Sequence, residues 1–298
     1  MAIFSKSVHV DATGRDIAHH GTDAFPVASY HDDLSKYNID WHWHEEMEAV
    51  VLTHGSVVYS AGNRKYTLQE GEGFFINSGA LHGAWSVDTT GCRFHSLVFH
   101  PRLVGGSTDS VFYQNYVRPL MENSGLEGVV LSPRIGWQAD AIHAIEAAWQ
   151  ACAQEPVGYE FQVRTNLSQL LCLLQSTFPE SGVPNKKQLR AAERIKNMLR
   201  FIHENYRDDL NTTAIARSAG ISDSECLRCF HTIIGTTPIQ YLRQYRIQRS
   251  AQLLMETELS VSEIAARCGF QDVSYFTKTF RELRGCAPSE YRAKKEQV

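Results

Sequence analysis

The sequence predicts a mixed two-domain protein: a small β-barrel or sandwich with helices after it, then an all-α domain. Three observations carry this expectation. Residues 24 to 100 are a succession of short β-like runs broken by turn formers. After Pro101 the chain changes to helical apolar periodicity. Near the C-terminus one helical unit is followed, 49 to 50 residues later, by a second copy of itself. A chain of 298 residues has room for two domains, each with its own core.

Charge divides the chain in the same place. Residues 1 to 185 hold 10 Lys+Arg against 20 Asp+Glu, and residues 186 to 298 hold 19 against 13. A front near −10 and a back near +6 suit a phosphate-binding module joined to a domain with no nucleic-acid role. An uneven scatter of solvated charge is the plainer alternative. Seven cysteines, at 92, 152, 172, 226, 229, 268 and 286, form an odd set in a chain too large to need disulfide staples, which suits reduced thiols. The opening MAIFSKSVHVDATGRD lacks the apolar region of a signal peptide, and no stretch approaches 18 uncharged apolar residues. The expectation is a cytoplasmic protein with no membrane partner.

Taken in order, the β-like runs are FPVASY, YNIDWHWH, MEAVVLTH, SVVYSAG, KYTL, GFFIN and CRFHSLVF, with turns at Gly62-Asn63, Glu70-Gly71 and Asn77-Ser78-Gly79. Their spacing suggests a small barrel or sandwich. Ile142, Ile145, Trp149 and Cys152 then share one face of a long helix, and Leu167, Leu170, Leu171, Leu174 and Phe178 one face of a second. The second stripe suits either a dimer seam or packing on the barrel. Residues 179 to 188, beginning PESGVPNKK, read as a linker between a front domain of residues 1 to 178 and a back domain of 189 to 298. Helix resumes with Ala192, Ile195, Leu199, Ile202 and Tyr206 in register.

The repeat sets Ala214-Ile-Ala-Arg-Ser-Ala-Gly-Ile221 over Glu263-Ile-Ala-Ala-Arg-Cys-Gly-Phe270, then Phe230, Gly235, Pro238 and Tyr241 over Phe280, Gly285, Pro288 and Tyr291. The change of offset marks one residue inserted in the second turn. Each copy reads helix, turn, helix. Asn211 and Ser260 are placed to cap the first helices, Ser260 with Glu263 as a capping box, and Ser222 and Asp272 to cap the second. Gly220 and Gly269 supply the left-handed residue that ends the first helix of each copy. Cys226, Cys229 and Phe230, and in the second copy Phe276 and Phe280, mark the buried faces. Thr237-Pro238 opens a connecting helix through Met255. Cys226-x-x-Cys229 lacks a second ligand pair at a zinc spacing and reads as core thiols.

Residues 190 to 293, and above all Ser262-Glu-Ile-Ala-Ala-Arg-Cys-Gly-Phe270 through Tyr275-Phe276 and Phe280 to Ala287-Pro-Ser-Glu-Tyr-Arg292, resemble the AraC/XylS family of bacterial regulators. The resemblance implies that each second helix enters a major groove of double-stranded DNA. It gives as base-facing candidates Ser224, Glu225 and Arg228 in the first copy, and Gln271, Val273, Ser274 and Lys278 in the second. Arg228 suits guanine O6/N7, Glu225 a cytosine N4 and Val273 a thymine methyl. Cys226 and Cys229 stand where leucines are usual and Leu227 where a polar residue is common, which leaves the register of that helix open.

In the front half, His42-x-His44, three residues, Glu48, six residues and Gly55 are followed by Gly71, five residues, Asn77-Ser78-Gly79, two residues and His82. This pair of motifs resembles the cupin superfamily, with Asn77 where proline is usual and Ser86 where asparagine is usual. Equal strand parity lets His42, His44 and Glu48 point into one barrel, with His82 arriving from another strand. Three imidazoles and a carboxylate suit a divalent transition metal such as Zn, Ni, Fe or Mn. The alternative is that they hydrogen-bond one another or a polar ligand. Trp85, with Trp41, Trp43, Phe74 and Phe99, is placed either to wall an effector pocket or to fill the core.

Together these features point to a sequence-specific DNA-binding transcription regulator that answers to a small-molecule effector, a sugar or related metabolite, bound in the barrel. A homodimer is the expected assembly, and RNA polymerase is a candidate partner. The rival readings are a metal-dependent cupin enzyme carrying a DNA-binding tail, which requires turnover, and a constitutive DNA-bending protein, for which the acidic front half has no use.

Overall fold

The computed structural model describes residues 10–11, 14–34, 38–87, 91–123, 125–179 and 186–293. They fall into two compact units, residues 1–192 and 193–298. Of the expected linker, residues 180–185 lie outside the described residues, while 186–188 already belong to a helix.

The first unit contains β1 (Val27–Asp33), β2 (Ile39–His42), β3 (Met47–His54), β4 (Ser56–Ala61), β5 (Arg64–Gln69), β6 (Gly73–Ile76), β7 (His82–Ser86) and β8 (Arg93–Phe99). After them come α1 (Arg102–Gly105), a π-helical turn at Tyr113–Val117 leading into α2 (Arg118–Glu122), β9 (Gly128–Leu131), α3 (Gly136–Gln154) and α4 (Tyr159–Thr177). The strands pair antiparallel in two sheets, β1-β8-β3-β6-β9 and β2-β7-β4-β5. The barrel is therefore a flattened one, made of two facing sheets.

Two strands are not legible in the sequence. In β7, His-Gly-Ala-Trp-Ser has no β-branched residue, and β9 is only Gly-Val-Val-Leu, too short for a period to register in a stretch that otherwise reads as helical. Pairing with β6 completes the five-stranded sheet through β9.

Period-2 alternation explains the layering. From β3, Val50 and Leu52 join Tyr59, Phe74, Phe94 and Ala84 between the sheets. Met47, Ala49 and Val51 of the same strand face the other way, into a second core with Phe75, Leu97, Ile145, Trp149 and Leu171. Helices α3 and α4 thus cover the outer face of the larger sheet. Leu167, Leu170, Leu171 and Leu174 are fully buried there, which corrects the dimer-seam alternative: the stripe serves the core of a single chain.

The second unit consists of α5 (Lys186–Asn205) from residue 193 on, α6 (Thr212–Ser218), α7 (Asp223–Cys229) with a π turn at Phe230–Ile234, α8 (Pro238–Glu256), α9 (Val261–Arg267), α10 (Val273–Arg284) and α11 (Pro288–Ala293). Five helix starts are capped by side chains. Asn211 Oδ1 accepts from Ala214 N at 2.9 Å, Ser222 Oγ from Glu225 N at 3.3 Å and Asp272 Oδ1 from Tyr275 N at 2.6 Å. Ser260 and Glu263 close a reciprocal capping box, as do Thr237 and Gln240 at the start of α8. Each cap satisfies an otherwise orphaned amide and is worth about 1 kcal/mol. Cys226 and Cys229 are buried beside Phe230, and burial pushes the Cys226 thiol up to about 11, as befits a core thiol.

The burial of α4 makes a definite prediction. Leu171→Ala should cost about 2 to 5 kcal/mol of stability through the cavity it leaves. The loss, read by thermal denaturation, should be independent of protein concentration; a concentration-dependent loss would restore the seam.

Candidate effector site and DNA-binding surface

His42 ends β2, His44 follows two residues on, Glu48 is the second residue of β3 and His82 opens β7. Register brings them together: His42 is paired with His82 across the β2–β7 ladder, and Glu48 shares parity with inward-facing Val50. One ligand atom from each of the four residues lies within 4.8 Å of all the others, and all four residues are buried. Glu48 Oε2 is 3.3 Å from His44 Nε2 and 3.4 Å from His82 Nε2. The rings of His42 and His82 approach to 4.1 Å between centroids.

The outer nitrogens fix the tautomers. His42 Nδ1 donates to the Asp40 carbonyl at 2.8 Å, His44 Nδ1 to that of Glu46 at 3.0 Å, and His82 Nδ1 to that of Ala80 at 2.9 Å. A carbonyl only accepts, so each Nδ1 carries hydrogen, and in the neutral ring the lone pair belongs to Nε2. Three nitrogen lone pairs and a carboxylate then converge on one small volume. Shared protons, as in the His44 Nε2–Glu48 Oε2 hydrogen bond at 3.3 Å, or a cation among the donors offset the repulsion in such a set, and backbone carbonyls that orient ligating imidazoles are the usual outer layer of a metal site. The residues present therefore fit a divalent transition metal.

A further buried layer adjoins this cluster. His20 Nδ1 lies 2.8 Å from the Tyr30 hydroxyl, His20 Nε2 lies 3.5 Å from Asp16 Oδ2, and the His20 ring is 5.6 Å from that of His44. Burial, then the charges of Asp16, Glu48 and Asp32, hold the Tyr30 phenol well above its ordinary pKa, so it remains a neutral hydroxyl. Sequence reasoning missed these three residues. Tyr30 lies in a legible strand, but Asp16 and His20 sit in no periodic element and offer no spacing to read.

Trp85 is a correction. It lies one residue out of parity with His82 and Ala84, so it takes the other face of β7, where its ring lies 5.4 Å from Trp41. Phe74 fills the core between the sheets and Phe99 the core under the helices. Trp43 meets Arg15 through a cation–π contact at 5.9 Å.

In the second unit, Gln271, Val273, Ser274 and Lys278 are all exposed. Gln271 is the inserted turn residue, just before the Asp272 cap. Val273, Ser274 and Lys278 share a surface groove of about 530 Å³ with Thr277, Arg281 and Glu282. Arg281 continues the Ser274–Lys278 stripe by three residues, so helical periodicity was a signal that could have found it. In the first copy Ser224 and Arg228 are exposed, and Leu227 is exposed with them. Glu225 is half-buried, with its carboxylate 3.5 Å from Arg194 of α5 and paired with Arg228. Two residues expected to read bases side by side thus hold each other.

Such an assembly, a β-sheet chamber with a buried donor set followed by two capped helix-turn-helix units, defines a ligand-responsive transcription regulator. Residues 25–171 match the model of the AraC-like ligand binding domain, and residues 215–294 that of a helix-turn-helix domain. The chain is 29% identical over 294 residues to the HTH-type transcriptional regulator YdeC of Bacillus subtilis (strain 168), covering 96% of this chain and 98% of that one. It is 25% identical over 285 residues to the HTH-type transcriptional activator RhaS of Escherichia coli O139:H28, covering 92% and 96%. A solved transcriptional regulator with an AraC-type DNA-binding domain, from Chromobacterium violaceum, is 30% identical over 35% of this chain and 94% of its own, with a TM-score of 0.34. The protein belongs to the AraC/XylS family of transcription regulators, with an N-terminal ligand-binding domain.

The two turn glycines separate local from tertiary strain. Gly220 (φ 63°) has open space where a Cβ would stand, whereas a Cβ on Gly269 (φ 79°) would lie 2.8 Å from the carbonyl oxygens of Tyr206 and Arg207. Gly220→Ala should therefore cost about 1 to 2 kcal/mol, the left-handed penalty alone. Gly269→Ala should cost distinctly more in the same melting experiment, and equal losses would contradict the packing of that turn.

Proposed function

We propose that this protein is a cytoplasmic, homodimeric, sequence-specific DNA-binding regulator whose effector acts at the His42, His44, Glu48 and His82 cluster, and that it works by binding rather than turnover. The observation that carries this reading is the convergence of four buried donors inside the domain whose family binds ligands. The cluster's fit to a divalent transition metal extends the reading: these four side chains would hold the ion, which would supply a Lewis-acidic anchor for a hydroxyl or carboxylate of the effector. The hydroxyl of Tyr30 and the ring of His20 stand ready to orient such a ligand. The sugar class expected from an aromatic wall is not supported, since Trp85 stands on the outer face of β7.

Transmission follows from strand geometry. Glu48 faces the cluster while its neighbours Met47 and Ala49 pack beneath α3 and α4, so a displacement of β3 on ligand binding is felt directly by the helical layer. In the DNA-binding unit, Arg228 and Lys278 carry the readout of the two half-sites. Glu225 serves to orient Arg228 rather than to contact a base, because its carboxylate is already engaged by two arginines. RNA polymerase is the downstream partner in this scheme.

Two experiments test the reading. The full-length protein purified without chelators should carry about one equivalent of a transition metal by elemental analysis, as a four-donor set holds one ion. The His44→Ala/His82→Ala protein should lose the metal and the effector response while still retarding promoter DNA; an unchanged induction profile would place the effector elsewhere. On DNA, Arg228→Ala should cost about 1 to 3 kcal/mol and relax base preference in one half-site, with Lys278→Ala acting on the other half. Footprints in which both substitutions weaken the same base pairs would reject the tandem arrangement.

A further inference from the structure

We propose that Arg246 is a positioning residue that clasps the two helix-turn-helix units into one rigid reading head and thereby sets the half-site spacing that the protein accepts. Arg246 lies midway along α8, the helix that joins the units. Its Nε donates to the Tyr206 carbonyl and its Nη2 to the Asp208 carbonyl, each at 2.7 Å. These acceptors lie just past the C-terminal end of α5, where helix carbonyls lose their intrahelical partners. The guanidinium carbon also stands 5.8 Å from the centroid of the Phe270 ring, the residue that enters the turn between α9 and α10. One side chain therefore touches the approach to the first unit, the spacer and the turn of the second.

A second contact marks the same seam. The close approach of Gly269 to the Tyr206 and Arg207 carbonyls seats the second turn directly on the end of α5. Phe270 is buried and packs with Ile247 of α8 and with Phe276. Helix α8 by itself fixes how far apart the units are, but a single helix leaves the twist of one unit about the other to its end contacts. The guanidinium fork closes the triangle between α5, α8 and the second turn. Its two hydrogen bonds diverge to different carbonyls, which a point-like ammonium does not reproduce.

The functional consequence rests on the DNA-reading assignment made above. Two recognition helices held in fixed phase meet successive major-groove segments about 34 Å apart, and one inserted base pair displaces the second by roughly 3.4 Å and 35°. A rigid head must reject that insertion; a loosened head can follow it.

The test uses the full-length chain and a duplex that the wild-type protein selects from a randomised pool. Two derivatives accompany it, one with a single base pair inserted between the half-sites and one with the second half-site scrambled. For the wild type the insertion should weaken binding about 10-fold or more, because engagement of the second site is lost. Arg246→Met should bind the selected duplex about 10-fold more weakly than wild type yet lose less than about 2-fold on insertion, and should match wild type on the scrambled duplex. Arg246→Met that rejects the insertion as strongly as wild type overturns the clasp. So does a loss on the scrambled duplex as large as that on the selected one, since Arg246 would then serve DNA contact or general folding. Should Arg246→Met lack a cooperative thermal transition, Arg246→Lys, which keeps the charge but reaches one carbonyl, is decided by the same comparison and should fall between. If the wild type enriches no duplex from the pool, the DNA-reading assignment itself fails, and the clasp with it.

Discussion

From Met47 to Leu52 strand β3 is buried on both faces, and the first unit is organised around that fact. Its odd-numbered residues, Met47, Ala49 and Val51, complete the core beneath α3 and α4, and its even-numbered Val50 and Leu52 complete the core between the sheets. Glu48 occupies an even position, so the alternation that buries the strand also buries a carboxylate. Leaving such a charge uncompensated would cost several kcal/mol. The surrounding imidazoles compensate it only in company with a cation or shared protons, because their Nδ1 hydrogens are committed to backbone carbonyls. The chemistry of the site is in this sense a consequence of how the sheet is covered.

The second unit answers to a different constraint, which is the satisfaction of helix ends. Short helices of seven residues such as α6, α7 and α9 are too short to persist by propensity. Side-chain caps at Asn211, Ser222 and Ser260 settle their starts, left-handed glycines follow α6 and α9, and apolar faces carrying Ile215, Cys226 and Ile264 bury against neighbours. The exposed stripes of α7 and α10 are what remains after those demands are met. They carry Ser224 and Arg228 on α7 and Ser274, Lys278 and Arg281 on α10, with the apolar Leu227 and Val273 exposed among them.

Caps and turn glycines were legible because they act over three or four residues, a range that a single sequence displays directly. The three-histidine, one-glutamate cluster was legible for a related reason: His42, His44 and Glu48 lie within seven residues and share parity, and a turn motif delivers His82. What the sequence hid depended on longer-range pairing. Strand β7 has no β-branched residue and β9 only four residues, so their places in the sheets come from partners 20 or more positions away. Trp85 looked like part of the site because it lies near His82 in sequence, yet a strand sends neighbours of odd separation to opposite faces. Asp16 and His20 reach the chamber through irregular chain, and Glu225 meets Arg194 across 31 positions. None of these contacts has a local pattern.

The two constraints together limit how a signal can be used. The four donors come from both sheets, since Glu48 belongs to the larger and His42 and His82 to the smaller. In the proposed scheme, the mechanical output of a ligand held there would therefore be a change in how the sheets, and with them the helical cover on β3, are held. Couplings of about 1 to 3 kcal/mol suffice for regulation, and a close-packed core is stiff enough to deliver that from sub-ångström shifts. The DNA-binding unit is a poor recipient for deformation of that size. Its turn at Gly269 has backbone oxygens where a Cβ would stand, and Arg246 is bound to two carbonyls across the seam. Distorting it would break several such contacts at once, at a cost comparable to the whole coupling. The economical use of the signal is then to leave the reading head intact and to alter its availability as a unit, which separates sequence readout from effector response in the chemistry as well as along the chain.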